Sequence, residues 1–321
     1  MDLSHNWTVA SSHNHKPHLP PLLRASRAAL RRLNTWLNRR YDLANVRYRP
    51  PDLNGAADLA AAEDALRQLD LPGLDARAYV EKHLLRLART LTLVPKPRSS
   101  SRILELGCYM QITPFLQQLH GYREVRGADK GPLGATEPKA VNVRGRRFDV
   151  SLDLFDMEHD RFPYDDGYFE TVLACELIEH AISDPMHVLL ECRRILEDGG
   201  RLLLSTPNVA SLTSVARVLH GYDNPQIFYL YTRPLPGTTP DIPHVREYTA
   251  FEIQSAVQAA GFEVESLFTE PIAEFSMNRP MWEFLELHGY NTALRGEQTY
   301  CIAVKRSQLP VTRYPKFLYA D

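Results

Sequence analysis

Two histidines and a set of acidic residues are the side chains of this sequence best suited to chemistry near neutral pH. His180 closes the stretch Cys175-Glu176-Leu177-Ile178-Glu179-His180, and His244 leads the polar run His244-Val245-Arg246-Glu247-Tyr248. Imidazole titrates near neutrality and can take a proton from a hydroxyl, which adds roughly 10²–10⁴-fold to a rate. His180, His244 and Glu179 are therefore the catalytic candidates. Each histidine also reads as a packing or surface residue, and the sequence leaves both readings open. Asp129 ends the run Gly127-Ala128-Asp129, and a carboxylate at a strand end is placed to accept hydrogen bonds from two ribose hydroxyls. Dinucleotide sites need a glycine-rich turn beneath the pyrophosphate. Here Gly107 stands alone in Gly107-Cys108-Tyr109-Met110-Gln111, and the side chains of Tyr109 and Gln111 would crowd phosphates. A cofactor without phosphates is expected, and a nicotinamide-dependent oxidoreductase is disfavoured.

The elements that must position these residues follow from hydrophobic patterning. Strands are predicted at 102–106, 122–129, 146–154, 170–177, 201–207, 262–268 and 299–305, seven in all. Helix starts are predicted at Thr113-Pro114 and Asp184-Pro185, where an N-cap residue precedes proline. The second of these helices is expected to end at Asp198-Gly199-Gly200. A capping box at Thr249 and Glu252 opens a helix closed by Gly261. Strands alternating with helices imply a mostly parallel sheet covered on both faces, with ligands bound beyond the carboxyl ends of the strands.

The ordered blocks ILELG, GAD, FPYDDGYFETVLACELIEH, HVLLECRRILEDGGRLLLSTPN and REYTAFEIQSAVQAAGFEVE resemble the class I S-adenosylmethionine-dependent methyltransferases, in the bacterial branch met among glycan and small-molecule O-methyltransferases. The resemblance covers about residues 100–305. It implies an α/β Rossmann-like fold with a mostly parallel seven-stranded sheet in which strand order runs 3-2-1-4-5, and S-adenosylmethionine as cofactor. Carried over by position, Glu105, Gly107, Cys108 and Tyr109 form the loop under the methionine part. Asp129 holds the ribose, Asp156, Met157 and Glu158 frame the adenine, and Cys175 and Glu176 lie beside the sulfonium. The loop departs from the family's glycine-rich pattern, and whether Tyr109 enters the cleft or faces the substrate side stays open.

Outside that stretch, residues 1–21 read as a flexible arm whose His13, His15 and His18 are solvated, and 22–97 as an N-terminal helical region. The helix at 22–40 carries a leucine stripe ringed by arginines. It either packs on the domain or makes weak contact with an anionic membrane surface. The methyltransferase domain is placed at 98–306, with a lid or acceptor insertion at 209–248 and a tail at 307–321. In the insertion, Tyr229, Tyr231 and Arg233, with Arg246 and Tyr248 after them, are the candidate substrate-binding residues.

Across 321 residues, 37 basic side chains against 39 acidic ones leave a formal charge of -2, which argues against a nucleic-acid partner. Four scattered cysteines give neither a disulfide framework nor a zinc pattern and fit a cytoplasmic setting. No octahedral-ligand pattern stands out and no metal is assigned, although Glu176, His180, His244 and Glu247 are residues a fold could bring together. The expected partner is a small-molecule or glycan acceptor, and the N-terminal helices are able to pair two subunits in a homodimer. The rival reading is a catalytically degenerate fold serving as a binding or scaffolding module.

Overall fold

The computed structural model describes residues 28–33, 55–70, 74–98, 100–221, 243–271 and 279–320. The arm at 1–21, most of the 22–40 helix, and Tyr229, Tyr231 and Arg233 lie outside the described residues. In chain order the elements are α1 (Gly55–Leu66), β1 (Leu69–Asp70), α2 (Leu74–Lys82), α3 (Leu84–Leu93), β2 (Arg102–Leu106), α4 (Thr113–Gln118), β3 (Glu124–Asp129), β4 (Ala135–Val143) and β5 (Arg146–Leu154). There follow β6 (Phe169–Cys175), a single 3-10 turn at Ile178–His180, α5 (Pro185–Ile195), β7 (Leu196–Pro207), α6 (Leu212–Leu219), α7 (Ala250–Ala259), β8 (Phe262–Glu270), α8 (Arg279–Leu287) and β9 (Gln298–Lys305).

The nine strands among the described residues form one sheet in the order β1-β4-β5-β3-β2-β6-β7-β9-β8. The five central strands from β5 to β7 are parallel, and β9 runs antiparallel between β7 and β8. The expected order of the five parallel strands is reproduced. A parallel strand covered on both faces reads as a near-continuous apolar run, and β2 and β6 bury Ile103, Leu104, Val172 and Leu173 in this way. One face packs on α5 and α7 through Leu189, Ile195, Ile253 and Val257. The other packs on the N-terminal helices through Leu66, Leu87 and Leu91, and on α4 through Phe115. Each such side chain contributes roughly 1.5–3 kcal/mol by leaving water, so the N-terminal helices share the core of the sheet.

Three sequence expectations need correction. The sheet has nine strands rather than seven because β4 pairs antiparallel with β5, and the two-residue β1 pairs with β4. The β4–β5 hairpin turns at Arg144-Gly145, both with positive φ (50° and 73°), the geometry that matches strand twist in a two-residue loop. Thr113 is not an N-cap. It is the first residue of α4, and its hydroxyl donates to Glu105 instead. Helix α5 stops at Ile195, and Asp198-Gly199-Gly200 lies inside the β7 run. A Cβ on Gly200 would come within 2.8 Å of the Glu197 carbonyl oxygen, so glycine is required there by space. The caps at Asp184 and Thr249 form as expected, the latter as a complete capping box with Glu252.

Candidate active site

The strand tips divide the site into two halves. In the first, β2, β3 and β5 end side by side. Gly107 follows β2 with φ 66°, and a Cβ there would meet just one atom, Leu177 Cδ1 at 3.6 Å, so the backbone borders open space. Tyr109 is 68% exposed, and Met110 is buried with Ile112 and Phe115 in the core beneath the N-terminal helices. Neither residue's burial or exposure places it as a plug over Gly107. Asp129 Oδ1 accepts the Lys130 amide at 2.7 Å, and Oδ2 takes no protein hydrogen bond among the described residues. Partial burial raises the Asp129 pKa against the pull of that amide. Beyond β5, Asp156 Oδ1 accepts the Glu158 amide at 2.9 Å, and the Asp156 amide donates to Asp160. Burial works against the Asp156 charge but is outweighed by the Glu158 amide, His159 and Lys130, which leave its pKa low. Met157 is buried against Phe155 and Phe162 in the core. Glu105 lies deep under this half; burial pushes its pKa up to about 7 despite hydrogen bonds from Thr113 and Cys108.

The second half surrounds the tip of β6. Glu176 has φ 52°, a left-handed conformation that a non-glycine residue holds only when its surroundings fix it. They do. Its Oε1 accepts from Ser205 Oγ at 2.8 Å and Gln298 Nε2 at 2.6 Å, and its Oε2 lies 3.4 Å from Arg86 of α3. Arg86 is 7% exposed and donates to the Tyr79 hydroxyl at 2.8 Å. Burial opposes its charge, but Glu176 and Tyr79 outweigh that and hold it firmly protonated. Three residues on, Glu179 is fully buried. Its Oε2 accepts from Thr206 Oγ1 at 2.9 Å, and its Oε1 has no hydrogen-bond partner among the described residues. Burial and the Glu176 charge raise its pKa well above the ordinary range. Its backbone carbonyl accepts the Val245 and Arg246 amides, which brings His244 to the same place.

Ligand atoms of Glu179, His180 and His244 lie within 4.8 Å of one another, and the two imidazole rings meet edge to face at 4.9 Å. His180 Nδ1 faces the Pro243 carbonyl at 3.3 Å, and His244 Nδ1 faces Glu247 Oε1 at 3.0 Å. Both acceptors call for a proton on Nδ1, which places the lone pair of each ring on Nε2. One carboxylate and two imidazoles make a donor set suited to a divalent transition metal or zinc ion. Of the residues singled out as able to converge, His180 and His244 do so. Glu179 supplies the carboxylate, because Glu176 is engaged by Arg86, Ser205 and Gln298, and Glu247 stands behind His244.

Several sequence-chosen residues do other work. The Cys108 side chain is buried in the core against Thr113, so no more than its backbone can border a ligand. All four cysteines are free, and burial pushes the Cys175 thiol up to about 12. Tyr248 is a core residue beneath α7 rather than an exposed substrate contact, and Arg246 pairs with Glu252 at 2.6 Å. Arg86 was not selected from the sequence, because nothing in its spacing links it to a carboxylate ninety residues away.

A doubly wound sheet with carboxylates at the tips of β3 and β5 defines an α/β protein built to bind a nucleoside-containing cofactor. Residues 76–267, about three-fifths of the chain, match the family model described as a methyltransferase domain. The chain belongs to this family, the S-adenosylmethionine-dependent class I methyltransferases, and S-adenosylmethionine is the family's cofactor. Gly107, Asp129, Asp156 and Glu158 are the residues that would hold it, and the open backbone at Gly107 and the uncommitted Oδ2 of Asp129 fit that role. Among curated proteins, the chain is 28% identical over 114 residues to the ubiquinone biosynthesis O-methyltransferase of Cereibacter sphaeroides, covering 36% of this chain and 44% of that one. It is 32% identical over 133 residues to a Mycolicibacterium smegmatis protein named "Probable S-adenosylmethionine-dependent methyltransferase", covering 41% and 43%. The matched stretch spans less than half the length of each. Against the solved SAM-dependent methyltransferase of Archaeoglobus fulgidus the identity is 18% and the TM-score 0.45, with 71% of this chain and 98% of that chain covered. Among the described residues no helix is long and apolar enough to cross a membrane.

Proposed function

We propose that this protein transfers the methyl group of S-adenosylmethionine to a hydroxyl oxygen of a glycan, glycolipid precursor or small metabolite. The observation that carries this reading is the convergence of His180, His244 and Glu179 beside the tip of β6, with His244 backed by Glu247. When bound, S-adenosylmethionine supplies an electrophilic methyl group on a sulfonium. The protein's own contribution is then alignment and proton removal. Alignment of donor and acceptor is worth up to roughly 7–11 kcal/mol in well-oriented systems. Glu247 fixes the His244 tautomer and steadies the imidazolium that forms when Nε2 takes the hydroxyl proton, the base-and-orienter arrangement of general base catalysis. The O-methyltransferase among the similar proteins supports oxygen as the nucleophile.

The unpartnered Glu179 Oε1 favours a second route to the same product. A divalent cation on Glu179, His180 and His244 would lower the pKa of an acceptor hydroxyl and replace the base. The test is release of S-adenosylhomocysteine with panels of catechols, sugars and amines, before and after chelation. Turnover with hydroxyl acceptors supports the proposal; chelator sensitivity selects the cation route. Turnover with amines alone overturns it, and cofactor binding without turnover on any panel selects the scaffolding alternative.

A further inference from the structure

The family match ends at residue 267, yet the last segment of the chain reaches back to the donor half of the site. Residues 307–320 run past α7, where the Thr312 amide donates to the Ala259 carbonyl, and arrive at Asp184, the N-cap of α5. Arg313 grips both Asp184 oxygens, and the Tyr319 hydroxyl donates to Oδ1 while accepting the Met186 amide at 3.1 Å. A bidentate guanidinium–carboxylate pair fixes orientation as well as distance.

What Asp184 anchors is the segment joining the two halves of the site. On one side lies His180. On the other, the Ser183 and Asp184 amides donate to Glu158 Oε2, at 2.6 and 3.4 Å, and His187 Nε2 meets the Asp160 carbonyl at 2.8 Å. Glu158 and Asp160 belong to the loop that frames the adenine in the reading above. The chain of contacts is therefore continuous from Arg313 and Tyr319, through Asp184, to Glu158. Without those two side chains, Asp184 keeps its capping bond to the His187 amide but loses the bidentate guanidinium and the hydroxyl that hold its carboxylate from the tail.

We infer that Arg313 and Tyr319 are positioning residues for cofactor binding, acting through Asp184 on the Glu158 loop. The inference rests on the donor-site reading proposed above. The test is calorimetric titration of the full chain with S-adenosylhomocysteine and with methylthioadenosine, which lacks the amino-acid end. The variants are Arg313→Met, Tyr319→Phe and the pair together. Ser307→Ala serves as control, since it removes a tail contact to Asp198 far from the loop. The expected result for the double variant is a loss of affinity of roughly tenfold, equal for both ligands, with the control within twofold of the unaltered protein. A merely structural tail would lower the melting temperature of control and double variant and leave affinity alone. Should Arg313→Met fail to fold, Tyr319→Phe removes a single hydroxyl and carries the test, with an expected loss of about threefold. Unchanged affinities, or an equal loss in Ser307→Ala, overturn the inference. Failure of the unaltered protein to bind either ligand overturns the donor-site reading and this inference with it.

Discussion

At the strand tips of the donor half Asp129, Asp156 and Glu158 each accept from a backbone amide, whereas Glu176 and Glu179 in the acceptor half accept from side chains. Asp129 and Asp156 take their hydrogen bonds from amides one and two residues away, and Glu158 from amides at the start of α5. Glu176 is held by Arg86, Ser205 and Gln298, and Glu179 by Thr206. Amides do not titrate, and they leave the outer carboxylate oxygen of Asp129 for a ligand. Side-chain partners from three elements, α3, β7 and β9, instead build a polar interior in which Arg86 balances the Glu176 charge. The donor half is thus a set of local turns, and the acceptor half a tertiary network that includes the N-terminal helices.

The sharpest way to break this contrast is Arg86→Met. Removing one partner of a buried ion pair leaves the other uncompensated and costs about 3–5 kcal/mol; urea unfolding measures it. Adding Glu176→Gln should restore most of that loss, and a single variant that loses under about 1 kcal/mol removes the N-terminal helices from the network. Asp129→Ala is expected to act in the opposite way. Two charge-assisted hydrogen bonds to a ribose are forfeited, so affinity for S-adenosylhomocysteine by calorimetry falls about 100-fold, with the melting temperature nearly unchanged.

Acid should strain the junction between the halves. Burial works against the Asp184 charge, but Arg313, Tyr319 and the His187 amide outweigh it and depress its pKa from 3.8 to about 2. A group with a depressed folded-state pKa contributes stability that is present above its unfolded value and lost as pH falls through the folded one. The loss therefore runs from about pH 4 down to about pH 2. After discounting for solvent screening it amounts to about 1–2 kcal/mol, and Asp184→Asn should abolish that limb of the pH–stability curve. The smallest effect is expected at Thr249→Ala, which removes the cap of α7 below the acceptor half and costs about 1 kcal/mol in thermal or urea unfolding.

The same contrast governs what the sequence reveals. The parallel strands are legible because a strand buried on both faces reads as a near-continuous apolar run, and the candidate donor residues are chosen because they stand at the ends of such runs. Strand β4 is not, since Thr136, Glu137, Pro138 and Lys139 read as a polar linker. Tyr248 reads as a substrate-binding candidate beside Arg246 and Glu247, yet it is buried under α7, where its backbone bridges Asn208. Arg86 is invisible for a different reason: its partner is fixed by packing across the sheet, and no local spacing encodes it. The convergence of His180 with His244 was legible as chemistry but not as geometry, since the Glu179 carbonyl that joins them is a backbone group.

Strand β4 also bears on how the molecule behaves in company. Among the described residues β1 pairs along its outer side with Asn142 and Val143 alone, and the strand also carries Pro138, which has no amide hydrogen to donate, between Glu137 and Lys139. An unpaired margin that is missing a donor and carries charges of both signs is a poor template for another chain's strand. The margin of this nine-stranded sheet is in that way protected against fibre-like stacking without being covered along its length.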